Sequence, residues 1–142
     1  VSHATYEQQE NGKVVLEGVI AMARACLEND IPVGLGTDTG CPYVTHYDMW
    51  RELCYFVKYC GVTPAFALHS ATLLNARLAG IDSVTGSVEA GKAADLIVCD
   101  RDPLADLSAL RSLHMVIKDG VRIEHPAVKK LPEVERELDK FL

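Results

Sequence analysis

The sequence lacks an excess of basic residues, with 14 lysines and arginines against 20 aspartates and glutamates and a formal net charge of −6. A protein that binds nucleic acid or an anionic membrane needs positive charge to meet the phosphates, so we expect neither as a partner. No apolar run approaches the roughly 20 residues that cross a bilayer. Residues 1–7 have neither the basic residues nor the apolar stretch of a secretion signal.

The sequence also lacks the motifs of several common site types. Its five cysteines are odd in number and form no CxxC pair, which predicts reduced thiols in a cytoplasmic protein. The glycines at 34, 36 and 40 form no GxGxxG motif, so we expect no nucleotide site. At 142 residues the chain is shorter than a complete (β/α)8 barrel, which takes about 200–250 residues.

An apolar segment preceded by a helix is the first feature present. The polar residues 1–12 predict a lead-in loop, and apolar residues at three- and four-residue steps over 13–29 predict a helix with one buried face. Residues 31–37 are almost continuously apolar and run into Asp38, as in a parallel strand covered on both faces. Such a strand needs partners, which must come from a second copy of the chain or from sequence outside these 142 residues.

The rest of the chain predicts helices followed by short strands. Helices over 48–60 and 63–80 each end at a glycine, Gly61 and Gly80. Asp119-Gly120 is a strong hairpin signal. The remaining predicted elements are strands at 86–89, 94–99, 116–118 and 121–123, a short helical crossover near Leu107, and an amphipathic terminal helix over 128–142.

Three stretches resemble the amidohydrolase superfamily, the metal-dependent hydrolases that include prolidase-like dipeptidases and imidazolonepropionase. Residues 31–40, which end in GTDTG, are similar to the family's eighth barrel strand. Residues 63–80 are similar to the helix that follows the barrel, and residues 86–103 to the return into a β-sandwich. Their order and spacing agree with the family over residues 13–124.

The resemblance implies an α/β fold that is only part of a larger one. It predicts the C-terminal part of a (β/α)8 TIM barrel, its last helix-strand units, over residues 1–80, with strand 31–37 inside. Part of a small β-sandwich follows over residues 81–124, and the amphipathic helix occupies residues 125–142.

The resemblance also implies one or two divalent metals, usually zinc, in the parent enzyme. The family's other ligands lie upstream, on a His-x-His motif, often a carboxylated lysine, and further histidines. The five histidines form no His-x-His pair: His3, His46, His69, His114 and His125. We therefore expect the missing N-terminal part of the same enzyme as a partner, and no stoichiometric metal in these 142 residues alone.

Asp38 is the candidate catalytic residue and metal ligand. The resemblance places it at the C-terminal end of a barrel strand, where barrel active sites lie. A carboxylate there binds a metal, accepts a proton from the metal-bound water and passes it to the departing nitrogen. The alternative is an aspartate that caps its own turn with help from Thr37 and Thr39. One carboxylate cannot hold zinc alone, because zinc sites need three or four ligands.

His46 is the candidate substrate-binding residue, placed to reach a substrate carboxylate or carbonyl. Its alternative is a solvated loop histidine. Cys41 has no evident base beside it and is predicted as a buried or rim thiol rather than a nucleophile. His69 is predicted to pack on its helix, and His3 to be solvated.

The function predicted is that of the C-terminal segment of a metal-dependent amidohydrolase acting on C–N bonds. Its small-molecule substrate would be a dipeptide, an N-acyl amino acid or a cyclic amide, and the isolated segment is expected to be inactive. The competing hypothesis is a non-catalytic α+β module for assembly, including self-assembly, or an inactive remnant.

Overall fold

The structure is a computed structural model that describes residues 4–142, so the expectation for His3 lies outside the described residues. Five α-helices occur in this range, of which none is both long and apolar enough to cross a membrane. They are α1 (Tyr6–Glu28), α2 (Met49–Cys60), α3 (Pro64–His69), α4 (Asn75–Leu78) and α5 (Pro132–Leu138). A π-helical turn, Ser70–Leu74, joins α3 to α4, and 3₁₀ turns occupy Leu107–Arg111 and Asp139–Phe141.

A three-stranded antiparallel sheet follows the helices, in the order β1 (Leu96–Cys99), β2 (Leu113–Lys118) and β3 (Val121–Glu124). The predicted hairpin is confirmed, because Asp119 and Gly120 have φ of 51° and 79°, as a type I′ turn requires. Asp95 stabilises this turn, since its carboxylate accepts from the Asp119 backbone N–H at 2.8 Å and from Lys118. These bonds, the backbone one first, hold the pKa of Asp95 below its usual range.

The core lies between α2, α3 and the 3₁₀ turn after β1. Its buried members are Leu53, Phe56, Ala67 and Leu107. Val33 and Leu35 pack against this cluster from the extended segment before Asp38. The predicted helix over 48–60 is confirmed, and it ends at Gly61, whose φ of 74° suits a residue without a Cβ.

Helix α1 differs from its prediction at both its start and its apolar face. It begins at Tyr6 rather than near 13, because Thr5 and Gln8 form a reciprocal capping box. The prediction missed this start because residues 1–12 are mostly polar and were interpreted as a loop. None of its residues is buried, and Val15 and Met22 are 65% and 63% exposed. The predicted apolar face exists but is only partly covered, because Leu27 packs against the core cluster while Val15 and Met22 stay exposed.

Two predicted strands are not strands in the structure. Residues 31–37 are extended but belong to no sheet, because no described strand lies alongside them. Residues 86–89 form a bend at Gly86 and Ser87 and then irregular backbone, and Gly86 packs on α4, where an added Cβ would lie 2.6 Å from the Ala76 Cβ. The terminal helix begins at Pro132 instead of 125 or 128.

Candidate active-site segment

Asp38 lies at the end of the extended segment and faces solvent. Its φ of 53° is in the left-handed region, which aspartate tolerates better than most residues. Among the described residues, its carboxylate accepts one hydrogen bond, a long one of 3.6 Å from Cys41 Sγ to Oδ2. Thr37 and Thr39 bond to each other at 2.7 Å instead of to this carboxylate. The carboxylate is therefore accessible, and the two threonines do not tie it into the turn.

Behind this loop lies a buried ionic cluster that the sequence analysis did not single out. Arg51, 2% exposed, donates to Asp48 Oδ1 and to Glu135 Oε2, each at 3.2 Å, and its Nη1 lies 2.7 Å from Asp139 Oδ1. Arg111 also contacts Glu135 and Asp139, at 2.9 and 3.0 Å. Burial alone would lower the pKa of Arg51, but the carboxylates of Asp139 and Asp48 outweigh it and raise that pKa.

This cluster joins the loop after Asp38 to the C-terminal helix. Asp48 accepts from Thr45 at 2.6 Å and from Trp50 Nε1 at 3.2 Å, so its carboxylate anchors the end of the loop. The Tyr47 hydroxyl accepts from the backbone N–H of Leu131 at 2.9 Å, just before α5. The loop over 39–47 is thereby connected to α5 at two points.

His46 lies in a groove of about 830 Å³ between the helices and the sheet. Its ring meets that of Tyr47 edge-on, with centroids 5.3 Å apart. The groove is lined mainly by apolar side chains, among them Trp50 and Val116, and Asp38 is not one of its lining residues. His46 and Asp38 therefore do not share this groove.

A second groove, of about 660 Å³, lies between the exposed face of α1, the extended segment and α2. Met22 of α1 and Leu35 of the segment before Asp38 both line it. Glu52 of α2 also faces it, and burial raises the pKa of this carboxyl. We refer to it below as the α1 groove.

A metal site would need more donors than these residues offer. Within residues 4–142 no group of three or more histidine, cysteine, aspartate or glutamate side chains is arranged to hold a metal ion. A carboxylate such as that of Asp38 is an accepted zinc ligand, but a zinc site takes three or four ligands from the protein. The described residues therefore do not form a metal site by themselves.

Comparison with known proteins identifies the family. The model of the amidohydrolase family matches residues 5–123, most of the chain. The chain belongs to the amidohydrolase family. It superimposes on a candidate prolidase from Bifidobacterium longum with a TM-score of 0.92 and 42% identity, over 98% of this chain and 34% of that one.

Two further relatives of this amidohydrolase chain are also known. A Xaa-Pro dipeptidase with methionine bound in its active site has a TM-score of 0.68 and 36% identity, over 75% of this chain and 25% of that one. The imidazolonepropionase of Picrophilus torridus is 35% identical over 80 residues, which are 56% of this chain and 20% of the relative. This amidohydrolase chain thus spans about a third or less of the length of these relatives.

Proposed function

We propose that the chain is the C-terminal part of a metal-dependent amidohydrolase that hydrolyses C–N bonds. In this proposal residues 31–37 are the last strand of a (β/α)8 barrel, α1 and α2 are helices of its outer layer, and β1–β3 belong to a small β-sandwich. The superposition on the candidate prolidase over 98% of the chain supports this arrangement. The free cysteines support a cytoplasmic location.

The observation that carries the proposal is the position of Asp38. Its exposed carboxylate follows an extended apolar segment that has no partner strand in the described part of the chain. A carboxylate at the carboxyl end of a barrel strand lies where barrel enzymes bind substrate. Asp38 would accept a proton from the attacking water and deliver it to the departing nitrogen, as a general base and then a general acid.

Asp38 is also proposed as one ligand of a divalent metal, zinc in the first instance, whose other ligands would come from outside these residues. His46 as a contact to a substrate carboxylate or carbonyl stays a prediction. The substrate class proposed is a dipeptide, an N-acyl amino acid or a cyclic amide, and the names of the prolidase and dipeptidase relatives favour the dipeptide.

The test is metal analysis and hydrolysis with the whole protein from which the chain comes. We expect about one or two equivalents of zinc and release of free amine from at least one of three substrates, an Xaa-Pro dipeptide, an N-acyl amino acid and a cyclic amide. The 142-residue chain alone, assayed in parallel, should hold less than one equivalent and hydrolyse none. A whole protein that binds no divalent metal and cleaves none of the three would favour the non-catalytic module instead.

The α1 groove predicts that the isolated chain associates. Uncovered apolar surface and an unpaired extended segment both promote association in water. Light scattering should give a mass above the 15.5 kDa of one chain. Met22→Glu, which places a charge in the groove, should reduce the associated fraction, whereas Asn11→Glu on the same helix adds the same charge outside the groove lining and serves as the control. A stable monomer of the unaltered chain would contradict the prediction.

A further inference from the structure

The backbone of the segment that leads to Asp38 is held by one side chain, Asn75. The Leu35 N–H donates to Asn75 Oδ1 at 3.0 Å, and Asn75 Nδ2 donates to the Leu35 carbonyl at 2.8 Å. The carboxamide thus pairs with both polar groups of one residue, as a residue of a neighbouring antiparallel strand does. We refer to these two hydrogen bonds as the Asn75 clamp.

The local helix geometry sets the position of the Asn75 clamp. Asn75 follows the π-helical turn Ser70–Leu74, and its backbone N–H bonds to the Ser70 carbonyl five residues earlier. Such a turn rotates the following residues relative to a regular α-helix and is frequent at functional sites. Asn75 Nδ2 also lies 3.5 Å from the Ala71 carbonyl, which orients the side chain from its own helix.

Two glycines, Gly34 and Gly86, allow α4 to pack closely against the neighbouring backbone. An added Cβ at Gly34 would lie 2.5 Å from Asn75 Oδ1 and 2.9 Å from Leu78 Cδ1, so only glycine leaves room for the amide. On the other side of α4, Gly86 contacts Ala76, which is 5% exposed. The helix is therefore closely packed on both sides of Asn75.

The clamp lies three residues before Asp38. Leu35 is fixed twice, by its side chain against the core cluster and by its backbone against Asn75. From Leu35 to the left-handed Asp38 no described strand supports the backbone. The position of the Asp38 backbone relative to the core therefore depends on the Asn75 clamp.

We propose that Asn75 is a positioning residue for catalysis, which acts by fixing the segment that carries Asp38. The proposal rests on the proposed function, because it gives Asn75 a role through Asp38. A displacement of a catalytic group by about 1 Å costs on the order of 100-fold in rate. We therefore expect Asn75→Ala in the whole protein to lower kcat by about that factor, with a much smaller change in KM.

The control is Thr72→Ala, in the same π-helical turn. Thr72 Oγ1 donates to the Leu68 carbonyl at 2.7 Å, a bond within its own helix, so Thr72→Ala removes a hydrogen bond of this turn without touching the Asn75 clamp. Both variants are compared at a temperature well below the midpoints of thermal unfolding. Thr72→Ala should leave kcat within about threefold of the unaltered protein, since this exposed hydrogen bond contributes little.

A double-mutant cycle tests whether the clamp itself is responsible. Gly34→Ala should lower kcat in a protein that retains Asn75, because the new Cβ displaces the amide oxygen. If both variants act through the same two hydrogen bonds, Gly34→Ala/Asn75→Ala should have a kcat no lower than that of the worse single variant. Additive losses would overturn the proposal, since they would mean that the two residues act separately.

Hydrogen exchange of residues 31–38 separates this proposal from the proposed function. Asn75→Ala should speed exchange of the Leu35 amide by about tenfold, and Thr72→Ala should not. Unchanged exchange, or faster exchange in an active enzyme with normal kcat, would overturn the proposal. If the unaltered whole protein hydrolyses none of the substrates, the proposed function fails and the catalytic role of Asn75 with it, while the exchange data still decide whether Asn75 holds the segment.

Discussion

Replacing Asp38 by asparagine should lower kcat of the whole protein by about 10²- to 10⁴-fold, the range that general acid-base catalysis supplies. Asparagine matches aspartate in shape and tolerates the left-handed backbone at this position, where φ is 53°. It cannot accept a proton from water, and it binds a metal less well than a carboxylate does. The loss should therefore appear in catalysis rather than in folding.

The matched control is Asp30→Asn. Asp30 is also exposed and also has a positive φ, of 55°, but it follows α1 and lies outside the proposed site. The two variants share the charge change and the backbone conformation, so they differ only in the proposed role. Steady-state kinetics with metal content measured on the same samples checks the prediction. An Asp38→Asn enzyme within threefold of the unaltered one would remove Asp38 from the mechanism.

Local signals in the sequence were sufficient for most of the helices and for the hairpin. Gly61 ends α2, and Asp119-Gly120 forms the turn, because their positive φ values suit those residue types. The capping box of Thr5 and Gln8 is an equally local signal, but the polar residues around it favoured a loop. In these places the residues adjacent in the sequence determine the backbone conformation.

The predictions that the structure corrects concern elements whose conformation or burial depends on a second element packed beside them. Apolar periodicity shows that Val15 and Met22 share a face of α1, but it does not show how much of that face is covered, and both side chains are exposed in the structure. Residues 31–37 have the composition of a buried strand, yet a strand forms only beside another strand. The apolar run and the family resemblance both led to the expectation that this segment pairs with a strand from outside the 142 residues.

The candidate site divides in the same way. Asp38 was predicted as a site residue because it ends an apolar run within a stretch that resembles the family, whereas Asn75 lies in another such stretch without a signal of its own role. Its hydrogen bonds join it to Leu35, 40 positions away in the chain, and only the three-dimensional structure shows that the two residues are in contact. Arg51 and Glu135 were missed because charged residues on amphipathic helices are expected to face solvent. Their contact joins residues 84 positions apart, which the sequence alone does not show.

Loss of the Arg51 guanidinium should have the largest effect on stability. Arg51→Met keeps the length and apolar packing of the side chain but leaves three carboxylates without their shared cation: Asp48, Glu135 and Asp139. Removing one member of a buried ionic cluster costs roughly 3–5 kcal/mol, because the remaining charges stay desolvated. Arg111 still contacts Glu135 and Asp139, so Asp48 bears most of the loss.

The chain contains a built-in probe for this measurement. Trp50 is its only tryptophan, is 5% exposed, and has the Arg51 guanidinium 4.6 Å from its ring centroid. Urea unfolding followed by Trp50 fluorescence, at several protein concentrations so that association is separated from unfolding, gives the free energy of unfolding. Arg101→Met is the control, because Arg101 pairs with Asp106 at 2.9 Å in solvent, where an ion pair contributes about 1 kcal/mol or less.

Arg51→Lys distinguishes the charge from the geometry of the guanidinium. Lysine retains the positive charge but presents a single ammonium, which cannot bind Asp48, just before α2, and Glu135 on α5 together as the planar guanidinium of arginine does. We expect it to recover part of the stability lost in Arg51→Met, and to leave the C-terminal helix more sensitive to proteolysis than in the unaltered chain. If Arg51→Met unfolds at the same urea concentration as Arg101→Met, the cluster does not hold α5 to the loop, and the prediction is wrong.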